Sequence, residues 1–447
     1  MSANNPVIKS TPAHIEEAKV FSNSGGEPVN LEAGTYELTY YESILQDTIH
    51  ASFTFIDAGT TVNGGKNAVD GVPITGSEQF HLKFKDNDDN ILEFRDDNAL
   101  FVNDVTTFVR DTRKELTQLH LVSKEYILNE KIRINSRLDG KISEHIEEIL
   151  TKDKYLATTK PVSVEETIGE INESPKNNKP FYIMNELSKK GVSVENQPLG
   201  KSAGYFLFET SEGFHFKSID GLLAQDQKIS VFYNESTERY KGDNGYDVKA
   251  LQYSVNNLLN IQKKLAIGAY TSRVLTFNPF NFQFNVHNPQ AFMFEEQDAY
   301  KMGGEKLPVL NPTFNNDTAK GDFSITSLRM VGVGGVQVGN TDTQLTKSKE
   351  VDFAVDQILN QSFMRYNNLF ACQVSITIPG DFSLHAGDVI FVDAPLIDSK
   401  KQSGDVNTET GGLYIIADLA HYVTPQETFT KLNLIRDSFG RKGNRSS

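Results

Sequence analysis

The chain has 447 residues, with 44 Lys and Arg against 59 Asp and Glu, and its formal charge of −15 repels nucleic acid within the screening length and disfavours a DNA-binding reading. One cysteine, Cys372, excludes an intramolecular disulfide and fits folding in a reducing cytoplasm. The start, Met1 to Asn5, lacks the basic flank and apolar core of a signal peptide, and no apolar run approaches the ~20 residues of a membrane helix.

At about 150 residues per domain the length predicts roughly three modules. Residues 1 to 30 are polar, with Ser22-Asn23-Ser24-Gly25-Gly26, and read as an arm. Strand signals begin at Thr35 to Tyr41 and continue through Ile44 to Ile56. There Ile49, Ala51, Phe53 and Phe55 alternate with His50, Ser52 and Thr54, the pattern of a half-buried strand. Phe80 to Phe84 and Ile91 to Phe94 flank an Asp/Asn-rich turn. Residues 1–108 therefore read as a first antiparallel β-module.

Between 109 and 203 the period changes, which predicts an α/β insertion. Ile142, Ile146, Ile149 and Leu150 share one helical face. Pro180 at a first-turn position and Gly191 past the end bracket a second helix over Phe181 to Lys190. Ser163 to Asn178, acidic and without period, predicts a loop. The hairpin Gly204 to Ile219 lies in a stretch, 204–244, expected to rejoin the first module.

Residues 245–290 open a second β-module. The spacing of Val248, Leu251, Val255, Leu258, Leu259 and Leu265 suits a helix, while Ala269 to Phe284 is aromatic and β-favouring. Residues 291–370 read as a second insertion, loop-rich from Glu295 to Asn316 and closing on a helix over 351–369. Residues 371–440 hold the C-terminal strands. Val374 to Ile378 alternates, Pro379-Gly380-Asp381 and Ala386-Gly387-Asp388 are turns, and Val389 to Val392 reads as a strand buried on both faces. Leu413 to Val423 and Thr428 to Arg436 complete a hairpin. Residues 441–447 form a tail whose Arg441, Lys442 and Arg445 suit an acidic neighbour.

Catalytic signals are weak. Asp86, Asp88 and Asn90 stand at calcium-loop positions, but Ile91 replaces the required Gly and Asp97 the final Glu, so a tight turn explains them better. Gly332, Gly334, Gly335 and Gly339 lack the ending of a phosphate loop. His385 and His421 read as packed or capped, and Cys372 as a buried structural thiol. Glu165-Glu166 and Glu295-Glu296 read as solvated acids rather than a glycosidase pair. The Asn234, Asn316 and Asn360 sequons carry no meaning without secretion. No cofactor or metal is expected.

Three runs are more specific: V-S-I-T-I-P-G-D-F-S-L-H-A-G-D-V-I from Val374, G-G-L-Y-I-I-A-D-L-A-H from Gly411, and F-T-K-L-N-L-I-R-D-S-F-G from Phe429. In this order they resemble the end of the baseplate central hub proteins of contractile-tailed bacteriophages, a group that includes late control protein D and the hub-like part of type VI secretion spikes. Gly204 to Thr210 with Gly213 to Phe216 resembles the family's mid-chain hairpin, and the similarity covers most of the chain.

The resemblance implies a mainly β fold with α insertions, an α+β protein of two tail-tube-like antiparallel β-barrel modules, each interrupted by an insertion that includes a helix. It places a strand and then a short helix at the start of residues 245–290. It implies a homotrimeric, pseudo-sixfold ring that adapts a hexameric tail tube to a trimeric spike and lines the DNA channel; the chain's net charge of −15 suits an acidic lumen along which DNA slides without sticking. The partners would be the tail spike protein, the tail tube or tube-initiator protein and the baseplate wedge proteins, in a virion tail assembled in the host bacterial cytoplasm. No membrane contact and no specific nucleic-acid binding are expected. Gly380, Gly387 and Asp388 would shape turns, and Arg436 and Asp437 would be ion-paired or capping. The alternatives are the hub of a tailocin or type VI-like machine, a peptidoglycan hydrolase and a host-binding adhesin.

Overall fold

The computed structural model describes residues 12–58, 74–110, 114–194, 203–233, 246–256, 260–266, 272–278, 283–287, 302–303, 311, 313, 325–330, 355–395 and 406–443. The glycine run at 332–339 and Glu295-Glu296 lie outside them.

Aromatic and β-branched residues in alternation make the first sheet: β1 (His14–Phe21), β2 (Val29–Asn30), β3 (Thr35–Ser43), β4 (His50–Asp57), β5 (Gln79–Lys85), β6 (Ile91–Phe94), β7 (Leu100–Arg110) and β8 (Glu115–Ser123). Leu38, Tyr40, Phe53, Phe55, Phe80, Phe84 and Phe94 point to one side and form its core. In the order β3-β4-β8-β7-β5-β1-β2 the sheet runs on past residue 109, because β8 pairs with both β4 and β7.

Among the described residues the first α-helix is α1 (Lys124–Lys131). Then come β9 (Leu138–Gly140), α2 (Ile142–Thr151), β10 (Val162–Val164), β11 (Ile171–Glu173), α3 (Pro180–Ser188), β12 (Tyr205–Thr210), β13 (Gly213–Ser218) and α4 (Ile219–Leu223). The predicted stripe of α2 is fully buried, and α3 starts with Pro180 in its first turn. The β12–β13 hairpin pairs with β10 in a small separate sheet over the α2–α3 core.

The remaining elements are β14 (Gln227–Tyr233), β15 (Val248–Ala250), β16 (Gln252–Val255), α5 (Ile261–Ala266), β17 (Ser272–Asn278), β18 (Gln283–His287), β19 (Ile325–Met330), α6 (Val355–Leu369), β20 (Cys372–Pro379), β21 (Val389–Asp393), β22 (Gly412–Val423) and β23 (Thr428–Arg436). Val248 to Val255 is strand, so the helical spacing there misleads and the family's strand-then-helix order is what is found. The β-branched residues Val374, Ile376 and Ile378 of β20 answer Leu434, Leu432 and Thr430 of β23, and this pairing selects the extended form of its neighbour β16.

The mainly β, α+β character follows the expectation, but no closed barrel is found among the described strands. The first sheet ends at β2, and beside this edge Ala13 N donates to Thr428 Oγ1 of β23 (2.6 Å). In the second group β15 pairs with β14 and β16 with β20, with Leu251 between them.

Candidate assembly site at the joint of the two sheets

Strand β22 belongs to both groups. Residues 412–415 pair with β21, residues 418–423 pair with β3, and β23 runs along the opposite edge of the strand. The change of partner coincides with a bulge at Ala417, where the ladder to β23 skips from Ile416 to Asp418. Asp418 then ties the seam, accepting from Ser43 Oγ (2.6 Å) and Asn433 Nδ2 (3.2 Å). Beside it opens a cleft of about 530 Å³ bordered by Tyr41, His50, Tyr422 and Lys431.

Behind the seam sits Glu42, fully buried. Its residue parity in β3 matches Leu38 and Tyr40, so the carboxylate points inward. Oε1 accepts from Tyr40 OH (2.8 Å), Ser211 N (2.9 Å) and His385 Nδ1 (3.2 Å), and Oε2 from Ala386 N (2.9 Å). Those donors come from the first sheet, the β12–β13 turn and the loop entering β21. Burial works to raise the Glu42 pKa, but the histidine and the two backbone N–H groups win and hold it below the usual carboxylate range. His385 is likewise held above its ordinary value by Glu42, against its own desolvation.

The turn residues that the sequence resemblance picks out lie between β20 and β21. Gly387 has φ +89°, a left-handed conformation suited to glycine, and a Cβ would come within 2.9 Å of Phe208 Cζ. Its N–H donates to Ile416 O (2.8 Å). Asp388 Oδ2 accepts from His385 N (2.7 Å) and pairs with Lys228 Nζ (2.7 Å). Gly380 lies against Thr428, whose Cγ2 would be 2.4 Å from an added Cβ.

Arg436 and Asp437 lie at the far end of β23. Arg436 is completely buried, donates from Nη1 to Gly411 O (2.9 Å) and from Nη2 to Glu409 O (2.5 Å), and stacks on Tyr414, 4.4 Å from the ring centre. Among the described residues it has no carboxylate at salt-bridge distance. Asp437 Oδ1 accepts from Met302 N (3.1 Å). Arg441 does not extend into a free tail, because it forms a two-pronged pair with buried Asp393 (Nε 3.1 Å, Nη2 2.8 Å).

The rejected chemistry is explained by local bonding. Asp86 Oδ1 accepts from Asp88 N and Asn90 N, and Oδ2 from Asn90 Nδ2 and Phe382 N, all at 2.8–2.9 Å, so the loop is a hairpin turn docked on the second group. Glu165 is half-buried and accepts from Ser193 Oγ and Ser218 N, which corrects the expectation of a solvated acid there, while Glu166 is exposed as expected and pairs with Lys141. Buried His421 bonds Thr430 Oγ1 (2.9 Å) and is pushed by burial to about 3. Burial also raises the Cys372 thiol. Among the described residues no cluster of His, Cys, Asp or Glu forms a metal site, and no helix is long and apolar enough to cross a membrane.

Asp47, in the β3–β4 turn, is mostly buried with Asn185 Nδ2 of α3 at 2.7 Å, and desolvation raises it to about 6. A raised carboxylate stabilises the fold fully below its unfolded pKa and loses that stabilisation as pH rises through about 6. Asp47→Asn is therefore expected to gain on the order of 2 kcal/mol at pH 8 and almost nothing at pH 4, read from denaturant midpoints at both values.

No family model and no curated sequence relative matches the chain. Its fold is that of a phage tail protein. A tail protein from Neisseria meningitidis MC58 superposes with a TM-score of 0.51 at 9% identity over 95% of this chain and 97% of that one. A 43 kDa tail protein of prophage MuSo2 from Shewanella oneidensis gives 0.48 at 8% identity (94% and 98% covered), and a type VI secretion component from E. coli 0.44 at 6% (97% and 80%). The likeness to the first of these is one of fold, and a tail-protein fold is in line with the resemblance read from the sequence.

Proposed function

We propose that the chain is a baseplate hub subunit that closes head-to-tail with two further copies into a ring, joining a tail tube to a spike and lining the channel. It works by binding, without turnover of a substrate, in a virion tail. Modules 1–108 and 245–440, with their insertions, act as the two tube-like units of each subunit. Leu251, spanning from β14's partner to β20's, supports a barrel-like second unit.

The observation that carries this reading is one unbroken antiparallel run, β7-β8-β4-β3-β22-β23-β20-β16. Eight strands is an even number, so the terminal strands β7 and β16 run in opposite directions. A copy added edge to edge keeps the antiparallel alternation, and a heterologous contact of this kind can close a ring. Among the described residues, the edge of β7 facing away from β8, beyond Val102, and the outer side of β16 have no ladder partner.

The run also presents a continuous polar face. One row across it reads Gln252, Thr377, Lys431, Ala420, Tyr41 and His50, and another reads Tyr422, Thr39, Ser52, His120 and Asp104. Glu37, Asp104 and Asp418 outnumber Lys431, so this wall is hydroxyl- and amide-rich and only mildly acidic. It would let DNA slide by offering few phosphate contacts rather than by strong repulsion.

Negative-stain images of the purified protein, alone and with its spike partner, are expected to show threefold rings with a central hole; solid monomers in both samples would sink the proposal. A variant sharpens the test. Asn256 N donates to Gln373 O, so by ladder alternation Ser254 also faces β20 and Val255, 45% exposed, turns its N–H to the open edge. Val255→Pro removes that donor alone. It should abolish rings while leaving the subunit's far-UV circular dichroism and unfolding midpoint unchanged.

A further inference from the structure

Away from the joint, one amine and two carboxylates meet in a dry pocket. Lys160 Nζ stands 2.6 Å from Glu209 Oε1 and 2.8 Å from Glu125 Oε2, and the three side chains are 4%, 0% and 1% exposed. They arrive from separate elements: Glu125 from α1, Glu209 from β12, and Lys160 from the segment that enters β10. The second oxygen of Glu209, Oε2, accepts from Ser123 Oγ (2.6 Å) and Ile49 N (3.1 Å). Thr158 Oγ1 fixes Glu125 through Oε1 (2.7 Å), and the Phe214 ring lies 5.7 Å from Nζ.

An ordinary buried ion pair balances its charges. Here one ammonium faces two carboxylates, which leaves a negative excess where solvation is weakest. Burial pushes the Glu209 carboxyl toward its protonated form. Desolvation favours the neutral amine at Lys160, but the charges of Glu209 and Glu125 outweigh it and keep the group protonated. One proton taken from solvent makes the cluster neutral, and a further proton passed from Lys160 to Glu125 leaves a free amine against a protonated Glu209 with no charge in the pocket.

We propose that this cluster is a self-modification site at which Lys160 and Glu209 join in an isopeptide bond, with Glu125 as the proton carrier. Lys160 Nζ attacks Glu209 Cδ, and the negative charge that develops on Oε2 is met by Ser123 Oγ–H and Ile49 N–H, two donors already placed as an oxyanion hole requires. Glu125, in contact with Nζ, takes the amine proton and returns it to Oε1, which departs as water. The N–C bond forms, the C–Oε1 bond breaks, and Oε2 stays as the amide carbonyl on its two donors. Nothing is oxidised or reduced and no co-reactant is needed. The same hydrogen bonds thus serve the acid, the intermediate and the product. The bond would fasten the chain before β10 to β12 and close the small β10-β13-β12 sheet into a covalent loop, resistant to being pulled open.

The test is the intact mass of the full-length wild-type protein, followed by peptide mapping. The expected mass is lower than that of the sequence by one water, with a branched peptide joining the Lys160 and Glu209 fragments. Glu125→Gln keeps an acceptor for Thr158 but cannot shuttle the proton, and it should retain the full sequence mass, as should Lys160→Arg. A wild-type protein at full mass overturns the proposal. So does a water loss that maps to Asp70-Gly71, Asp139-Gly140 or Asp220-Gly221, the sequence's Asp-Gly steps, where backbone cyclisation to a succinimide loses the same mass. Cross-linking in Glu125→Gln at the wild-type rate would remove Glu125 from its role. The wild-type measurement stands even where a variant fails to fold.

Discussion

Glu42→Ala is expected to lower the unfolding free energy by about 3–5 kcal/mol, the usual cost of breaking a buried charged pair. The substitution strands Tyr40 OH, Ser211 N and Ala386 N without their acceptor and leaves the His385 ring with only the more exposed Glu212, 3.7 Å from its Nε2. Each orphaned buried donor costs about 1–3 kcal/mol unless water replaces the oxygen. Three segments lose their common anchor together, so the effect should exceed that of any single partner.

The pair also sets a pH window. Glu42 is depressed, so its contribution is present above the ordinary glutamate pKa and is lost as pH falls through its lower folded value. His385 is raised, so its contribution is complete below the ordinary histidine pKa and is lost as pH rises through its higher folded value. Both hold together between about pH 4.5 and 6.5. Denaturant unfolding across that range should show a stability maximum in wild type that flattens in Glu42→Ala. A double-mutant cycle with His385→Ala should return a coupling of at least about 1 kcal/mol, and a value near zero would count against the pair.

The elements of this fold were legible where a short pattern carries its own reason. Alternation in Val374 to Ile378 and the stripe Ile142, Ile146, Ile149, Leu150 each report a face that must be covered, and both are covered. The joint was not legible, because it rests on Asp418 meeting Ser43 and His421 meeting Tyr40 across most of the chain, a register that no local pattern encodes. Val248 to Val255 misled for the same reason: its apolar spacing fits a helix, and its partners β14 and β20 select the extended form. Glu42 left a usable trace. In β3 it shares parity with Leu38 and Tyr40, and a carboxylate on the core side of an otherwise apolar row announces a buried partner. Glu209, inside the fully buried run Tyr205–Thr210, leaves the same trace.

Arg436 offers the second large effect, and the order of its variants is more informative than their size. The guanidinium is always charged, sits fully buried, and has no carboxylate at salt-bridge distance among the described residues; two carbonyls and the face of Tyr414 are what hold it. Its fork reaches Glu409 and Gly411 together and thereby fixes the chain just before β22, the strand on which the joint depends. Lysine has the charge but neither the fork nor the flat surface for stacking, so Arg436→Lys should leave a buried ammonium and at least one orphaned carbonyl, at about 2–4 kcal/mol. Methionine fills much of the same volume without a charge to desolvate, and Arg436→Met should cost less than Arg436→Lys. Chemical denaturation of the two variants decides the matter. If Lys proves the milder change, the positive charge against the two carbonyls, and not the fork or the stacking on Tyr414, is what the site requires.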